Sequence, residues 1–195
     1  MAASAPVVIV GVGALGSHVA LFARNWGNPL RVIDHDRVEA KNLAAQVHTR
    51  MGLGANKAVG LQRTLQGLFG TRVEAIPHRL TADNAAQLLG GAALVLDCTD
   101  NIEARRLITA AVRVTAIPCL HGAVSADGMF ARVVWDELFV PDAEGTPGAA
   151  TCEGGVALPF FAMTGAQMAG VAQAFLVAGA RVSYQLTPTS IIRIG

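Results

Sequence analysis

The chain has 195 residues, 52% of them hydrophobic and 15% charged, with 15 Lys+Arg against 14 Asp+Glu and a formal net charge of +1. That length suits one domain, 1–195, with a substantial core, and a near-neutral balance without a basic run argues against nucleic-acid binding. Three cysteines, Cys98, Cys119 and Cys152, an odd number with no Cys-x-x-Cys pair, support neither a disulfide framework nor a structural zinc site, so reducing cytoplasm is the expected setting.

The first predicted element is a strand over Val7–Val10, four apolar β-branched residues in a row. No basic leader precedes it, so the run reads as a strand and not as a signal peptide. It enters a Gly-x-Gly-x-x-Gly turn formed by Gly11, Gly13 and Gly16, and an apolar helical pattern follows over 14–26. Gly11 permits a tight turn, Gly13 lets the backbone approach a phosphate, and Gly16 lets the helix sit near the strand. The helix N-terminus offers unpaired N–H groups and partial positive charge to an anion. A second strand, Leu30–Ile33, ends in Asp34, placed to accept hydrogen bonds from a ribose hydroxyl. Strand, glycines, helix and acid in that order point to a nucleotide site; the glycines alone would equally suit a packing turn.

After a polar, turn-like stretch over 35–43, a segment passes through Gln46 and Arg50 to Lys57. Lys57 opens a helical pattern (Ala58, Leu61, Leu65, Leu68) that ends near Gly70. A strand over 72–77 follows, then a helix over 85–89 that Thr81 or Asp83 can cap. Residues 93–97 are apolar up to Asp97 and read as a central parallel strand. The strand ends in Cys98-Thr99-Asp100-Asn101, and a helix continues to Val114. A strand over 117–121 precedes a hairpin of 123–127 and 129–135 around Asp127-Gly128. A Gly-, Pro- and Ala-rich loop carries Cys152. The uncharged stretch Leu158–Ala178 is long enough to span a bilayer, but Pro159, Thr164, Gln167, Gln173 and two glycines interrupt it. It reads as a helix buried in the core or in a dimer interface, with no membrane involved. Strands over 181–185 and Ser190–Ile194 close the chain. The alternation implies a doubly wound, mostly parallel α/β sheet of Rossmann type with a C-terminal antiparallel part.

In such a sheet ligands sit beyond the carboxyl ends of the strands. Three polar groups collect there: the glycine turn, Asp34 with Asp36, and the 97–101 stretch. Lys57 can reach the same crevice. Glycine amides to hold phosphate, an ammonium to offset its charge and Asp100 to coordinate a metal suit a triphosphate with magnesium. A nicotinamide dehydrogenase needs neither Lys57 nor Asp100, and needs a substrate domain for which little chain remains. No P-loop signature is present.

The glycine turn, Val32-Ile33-Asp34-His35-Asp36-Arg37-Val38, Asn42-Leu43, Gln46, Lys57, Leu96-Asp97-Cys98-Thr99-Asp100-Asn101, His121-Gly122-Ala123 and Thr151-Cys152 occur in this order. Together they resemble the ThiF/MoeB/HesA family, bacterial relatives of ubiquitin-activating enzymes, over nearly the whole chain. The Asp-Cys-Thr-Asp-Asn stretch is the most specific part. The resemblance implies the adenylation fold of those enzymes and a reaction with Mg-ATP. In it, the C-terminal Gly-Gly carboxylate of a small ubiquitin-like or sulfur-carrier protein attacks the α-phosphate, giving an acyl-adenylate and pyrophosphate. Carried over by position, Asp34 holds the ribose with Asp36 beside it, Asn42 and Lys57 contact phosphates, and Asp100 binds magnesium. Positioning and charge neutralisation suffice, since a carboxylate is already a nucleophile.

Cys152 is the candidate acceptor of the acyl group, as a thioester or persulfide in related enzymes; the competing reading is a small loop residue. Cys98 and Cys119 read as packing residues, and His121 as structural. Where the family often has Asn-Leu-x-Arg-Gln, this chain has Asn42-Leu43-Ala44-Ala45-Gln46; Arg50 is the nearby candidate to replace the lost arginine. The family's helices before the first strand and its paired zinc cysteines find no counterpart, so a short, divergent member is expected; the long apolar helix near the end of the chain points to a homodimer. Two alternatives stand beside it. One is a relative acting on a small molecule or a tRNA base. The other is a nucleotide-sensing module that binds NAD or ATP without chemistry.

Overall fold

Residues 4–140 and 157–195 are described by the computed structural model. Their framework is one eight-stranded sheet in the order β3-β2-β1-β4-β5-β6-β7-β8. The strands are β1 (Val7–Val10), β2 (Leu30–Ile33), β3 (Val73–Ile76), β4 (Leu94–Asp97), β5 (Cys119–Val124), β6 (Ala131–Trp135), β7 (Ser183–Thr187) and β8 (Ser190–Ile194). The first five pair in parallel and the last three antiparallel. β1 and β4 lie in the middle and are buried along their whole length, which is why both are continuous apolar runs.

Helices cover both faces. On one side α1 (Ala14–Ala23), α2 (Lys57–Phe69) and α5 (Leu158–Ala178) pack Leu15, Val19, Leu61, Leu65, Phe160 and Met168 on Ile9, Leu96 and Leu120. On the other, α3 (Ala82–Leu89) and α4 (Ile102–Thr115) bring Leu89, Ile108 and Val112 onto Val8, Val10 and Val95. The period of two along each strand sends alternate residues to the two cores.

α5 is a core helix on one side. It lies against α1, where a Cβ on Gly165 would come within 2.8 Å of His18 Cβ. Its other side, with Ala166, Gly170, Gln173, Ala174 and Val177, is exposed. This is the one helix among the described residues long and apolar enough to cross a membrane.

Several expected boundaries move. α1 stops at Ala23, and the Trp26 amide closes a turn on the Ala23 carbonyl. Thr81, not Asp83, is the N-cap of α3, in a capping box with Asn84. The expected strands 117–121 and 123–127 are one strand, β5. Gly122 does not break it; a Cβ there would meet Leu15 Cδ2 and Met168 Sδ at 2.7 Å, so glycine serves packing. The hairpin turn is closed by the Ser125 amide on the Phe130 carbonyl, with Asp127 accepting from Ser125 Oγ and the Met129 amide. β7 starts at Ser183, because Arg181 leaves the ladder and lies over the rings of Trp135 and Phe175.

Candidate nucleotide site

The glycine turn leaves β1 at its carboxyl end. Gly11 has φ +81°, and a Cβ there would stand 3.0 Å from the Cys98 carbonyl oxygen. That approach sets the glycine turn directly against the backbone of the 97–101 turn. At Gly16 a Cβ would overlap the Gly11 carbonyl, so the residue is needed for helix–strand packing. Gly13 differs: a Cβ would meet nothing nearer than Gln46 Nε2 at 3.9 Å. Packing does not require glycine there, and the space above the start of α1 is open. No side chain caps α1, so its first amides are left to a ligand or water.

Asp34 lies where β2 ends, 8% exposed. Its Oδ2 accepts from the Val12 amide at 2.8 Å and its Oδ1 from the Asp36 amide at 2.9 Å. The carboxylate is thereby fixed beside the glycine turn. Burial pushes the Asp34 carboxyl above its usual range, against the pull of the two amides and the Lys57 charge. Asp36 moves the opposite way. Partial burial would raise it, but the hydrogen bond and charge of Lys57 hold it below the usual carboxylate range. Lys57 Nζ sits 3.0 Å from Asp36 Oδ2.

That pairing is built by Asn56. Its side chain accepts from the Val59 amide as the N-cap of α2 and donates to the carbonyls of Asp34 and Asp36. The start of α2 is therefore stitched to the end of β2. The crossover between them forms two 3-10 turns, Ala40–Ala44 and Arg50–Gly52. Asn42, 5% exposed, accepts from the Glu39 amide through Oδ1, which commits its carbonyl end to the turn.

His48 ties the crossover to the glycine turn. Its Nε2 donates to the Val12 carbonyl at 3.1 Å, and desolvation lowers its pKa to about 4, so the ring is neutral at pH 7. Nδ1 is buried without a partner. The other side of His48 faces a cleft of about 580 Å³ that Ala40, Leu43, Arg50 and Leu53 also line. Arg50 is exposed, and its side chain makes no hydrogen bond or ion pair among the described residues. Ala45, in the place of the family arginine, is buried at 1% exposure.

Asp100 follows β4 and is exposed, with no hydrogen bond or ion pair among the described residues. The structure thus brings Asp34, Asp36 and Lys57 to the glycine turn and sets the 97–101 turn against Gly11, while the recorded contacts of Asn42 stay within its own crossover segment. It records no direct contact between Asp100 or Arg50 and Lys57. Cys152 lies outside the described residues. Cys98 and Cys119 are buried, and burial pushes both thiols well up, as suits packing residues. His48 and Asn56 were not singled out from sequence. Asn56 carried a readable signal, an N-cap residue before a helical period; His48 carried none.

The sequence matches the ThiF family over residues 2–182. It is 41% identical over 124 residues to the sulfur carrier protein adenylyltransferase of Thermus thermophilus, covering 62% of this chain and 45% of that protein. Among solved structures it superposes on E. coli MccB with MccA-N7isoASN at a TM-score of 0.77 and 17% identity, over 98% of this chain and 64% of that one. The E. coli tRNA N6-threonylcarbamoyladenosine dehydratase TcdA in complex with ATP gives 0.67 and 21% identity, over 90% and 88%. The chain spans less than half the length of the Thermus protein.

Proposed function

The chain belongs to the ThiF family, and from that premise we propose that it adenylates the C-terminal Gly-Gly carboxylate of a small ubiquitin-like or sulfur-carrier protein at the expense of ATP, in a single adenylation domain. The carboxylate attacks the α-phosphate, the bond to the β-phosphate breaks, and pyrophosphate leaves. The observation that carries this reading is the Asp34–Asp36–Lys57 arrangement against an open glycine turn. One fixed carboxylate suits a ribose, and one ammonium stands beside amides suited to phosphates.

The residues fit a magnesium nucleotide. The room over Gly13 that a Cβ would enter suits a phosphate. Asp100 offers a free carboxylate, and magnesium is commonly held by one or two carboxylates plus phosphate oxygens. Bound there, the ion would neutralise charge on the phosphates as they separate. Asp34 orients the ribose, Lys57 draws charge off the phosphates, and the amide end of Asn42 is available to a phosphate oxygen. Arg50, across the His48 wall from the glycine turn, takes the place of the arginine lost at Ala45. Cys152 then accepts the acyl group: its sulfur attacks the carbonyl of the acyl-adenylate, the bond to the phosphate oxygen breaks and AMP leaves. The small, exposed face of α5 suits a homodimer contact.

ATP–pyrophosphate exchange tests the reading. Exchange that requires magnesium and a protein ending in Gly-Gly supports it. Tight NAD binding with no exchange in the presence of any such protein favours a sensing module and overturns it.

A further inference from the structure

Apart from the nucleotide crevice, the densest buried set of charges is centred on His121. Its ring is fully buried and held on both edges: Nδ1 lies 2.8 Å from Asp97 Oδ2 and Nε2 lies 3.1 Å from Asp136 Oδ1. Phe139 stacks on it with centroids 3.8 Å apart and planes 6° apart. Both contacts are at hydrogen-bond distance, so the ring is held in its plane from two sides. Asp97, also fully buried, uses its other oxygen to accept from Thr99, from the amide at 3.0 Å and the hydroxyl at 2.7 Å. Burial would raise the Asp97 carboxyl, but the His121 hydrogen bond and the Arg105 charge hold it below the usual range.

Arg105 completes the frame from α4. It donates to the Thr99 carbonyl from Nε and Nη2, and to the Gly122 carbonyl from Nη2. Arg113 holds the far side by pairing with Asp136 at 2.7 Å. The backbone of residues 97–99 is therefore gripped on both its amide and its carbonyl side. The next residue is Asp100, exposed and without a partner among the described residues. A buried ionic set is seldom more stable than apolar packing of the same volume; a fixed geometry is what it supplies here.

We propose that His121 is a positioning residue: clamped between Asp97 and Asp136, it fixes the turn that presents Asp100 to the metal-bound phosphates. The Asp100 part rests on the nucleotide reading above; the fixing of the turn does not. His121 is too deeply buried to touch substrate, and it acts only through Asp97 and Thr99.

His121→Gln tests this. Glutamine brings one donor end and one acceptor end, so one of the two carboxylates faces an oxygen and the clamp opens. Two readouts follow. By NMR hydrogen exchange, the Thr99 amide, bonded to Asp97, should exchange about tenfold faster or more, while the Val12 amide, bonded to Asp34 outside the network, keeps its rate. A general loss of stability would speed both. By calorimetry, the gain in ATP affinity on adding magnesium should fall about tenfold, with metal-free ATP affinity unchanged. Adding Asp136→Asn to His121→Gln restores both hydrogen bonds without charge, and should recover both readouts. If His121→Gln does not fold, Asp136→Ala reads the same pair of amides from the rim of the network. Equal changes at Thr99 and Val12, or a wild-type magnesium effect in the folded variant, would overturn the proposal. A wild-type protein whose ATP affinity ignores magnesium would instead sink the nucleotide reading, with the amide contrast still testing the clamp.

Discussion

Replacing Lys57 by methionine separates its part in the fold from its part in the chemistry. The Lys57 and Asp36 side chains are 12% and 54% exposed, 3.0 Å apart. When the ammonium is removed, water reaches the Asp36 carboxylate, so the pair is worth at most about 1 kcal/mol after solvent screening. Methionine keeps the apolar stem covered. For a protein of this size each kcal/mol moves Tm by roughly 2–4 °C, so the variant should melt within about 4 °C of wild type. A charge-assisted bond to a phosphate is worth about 1.5–3 kcal/mol. Losing it lowers kcat/KM for ATP in pyrophosphate exchange by about 10- to 150-fold. Thermal melts followed by circular dichroism give the first number, and exchange at saturating carrier protein gives the second. A folded Lys57→Met variant with wild-type kcat/KM would refute the assignment of Lys57 to the phosphates. A loss of folding with it would refute the weakness of the pair.

Three further outcomes are expected. His48 has a folded pKa of about 4 against an unfolded value near 6.5, so the unfolded chain binds the extra proton first and stability falls as pH drops between those values. From pH 7.5 to 5 the loss is about 2 kcal/mol. His48→Gln should remove that part of the slope in denaturant titrations, and an unchanged slope would show that His48 is not buried as a neutral ring. Arg50→Ala should raise the KM for ATP about tenfold with no change in Tm, because the exposed side chain holds nothing in the fold; wild-type turnover would remove Arg50 from the site. Cys152→Ala should abolish a thiol-labile adduct with the carrier protein while pyrophosphate exchange persists, and an adduct retained on denaturing gels would exclude the thiol as acceptor.

The sheet was legible because period and punctuation agreed. Continuous apolar runs at β1 and β4, each followed by a turn and a helical period, can only be central parallel strands. Gly11 and Gly16 were legible for the same reason, and the contacts a Cβ would make at each explain why no other residue serves. Gly122 misled the reading of β5, because a strand glycine that admits Leu15 and Met168 looks the same in sequence as one that ends a strand. That Asp34 and Lys57 lie beyond the carboxyl ends of the central strands could be read from strand order. That Asp36 would hold Lys57 through an Asn56 stitch depends on a side-chain geometry that no spacing encodes. The His121 clamp was hidden for a stronger reason. Asp97, Arg105, His121 and Asp136 lie on four different elements, and only the parallel pairing of β4 with β5 and the turn after β6 bring them together. In sequence nothing in their spacing says that these four side chains meet.

A crystal structure of the protein grown with magnesium and a non-hydrolysable ATP analogue tests the central claim most directly. The expected density is a ribose on Asp34, phosphates over Gly13 within reach of Lys57, and a metal ion on Asp100. An empty crevice at saturating nucleotide, or a nicotinamide dinucleotide bound there in preference to ATP, would contradict it.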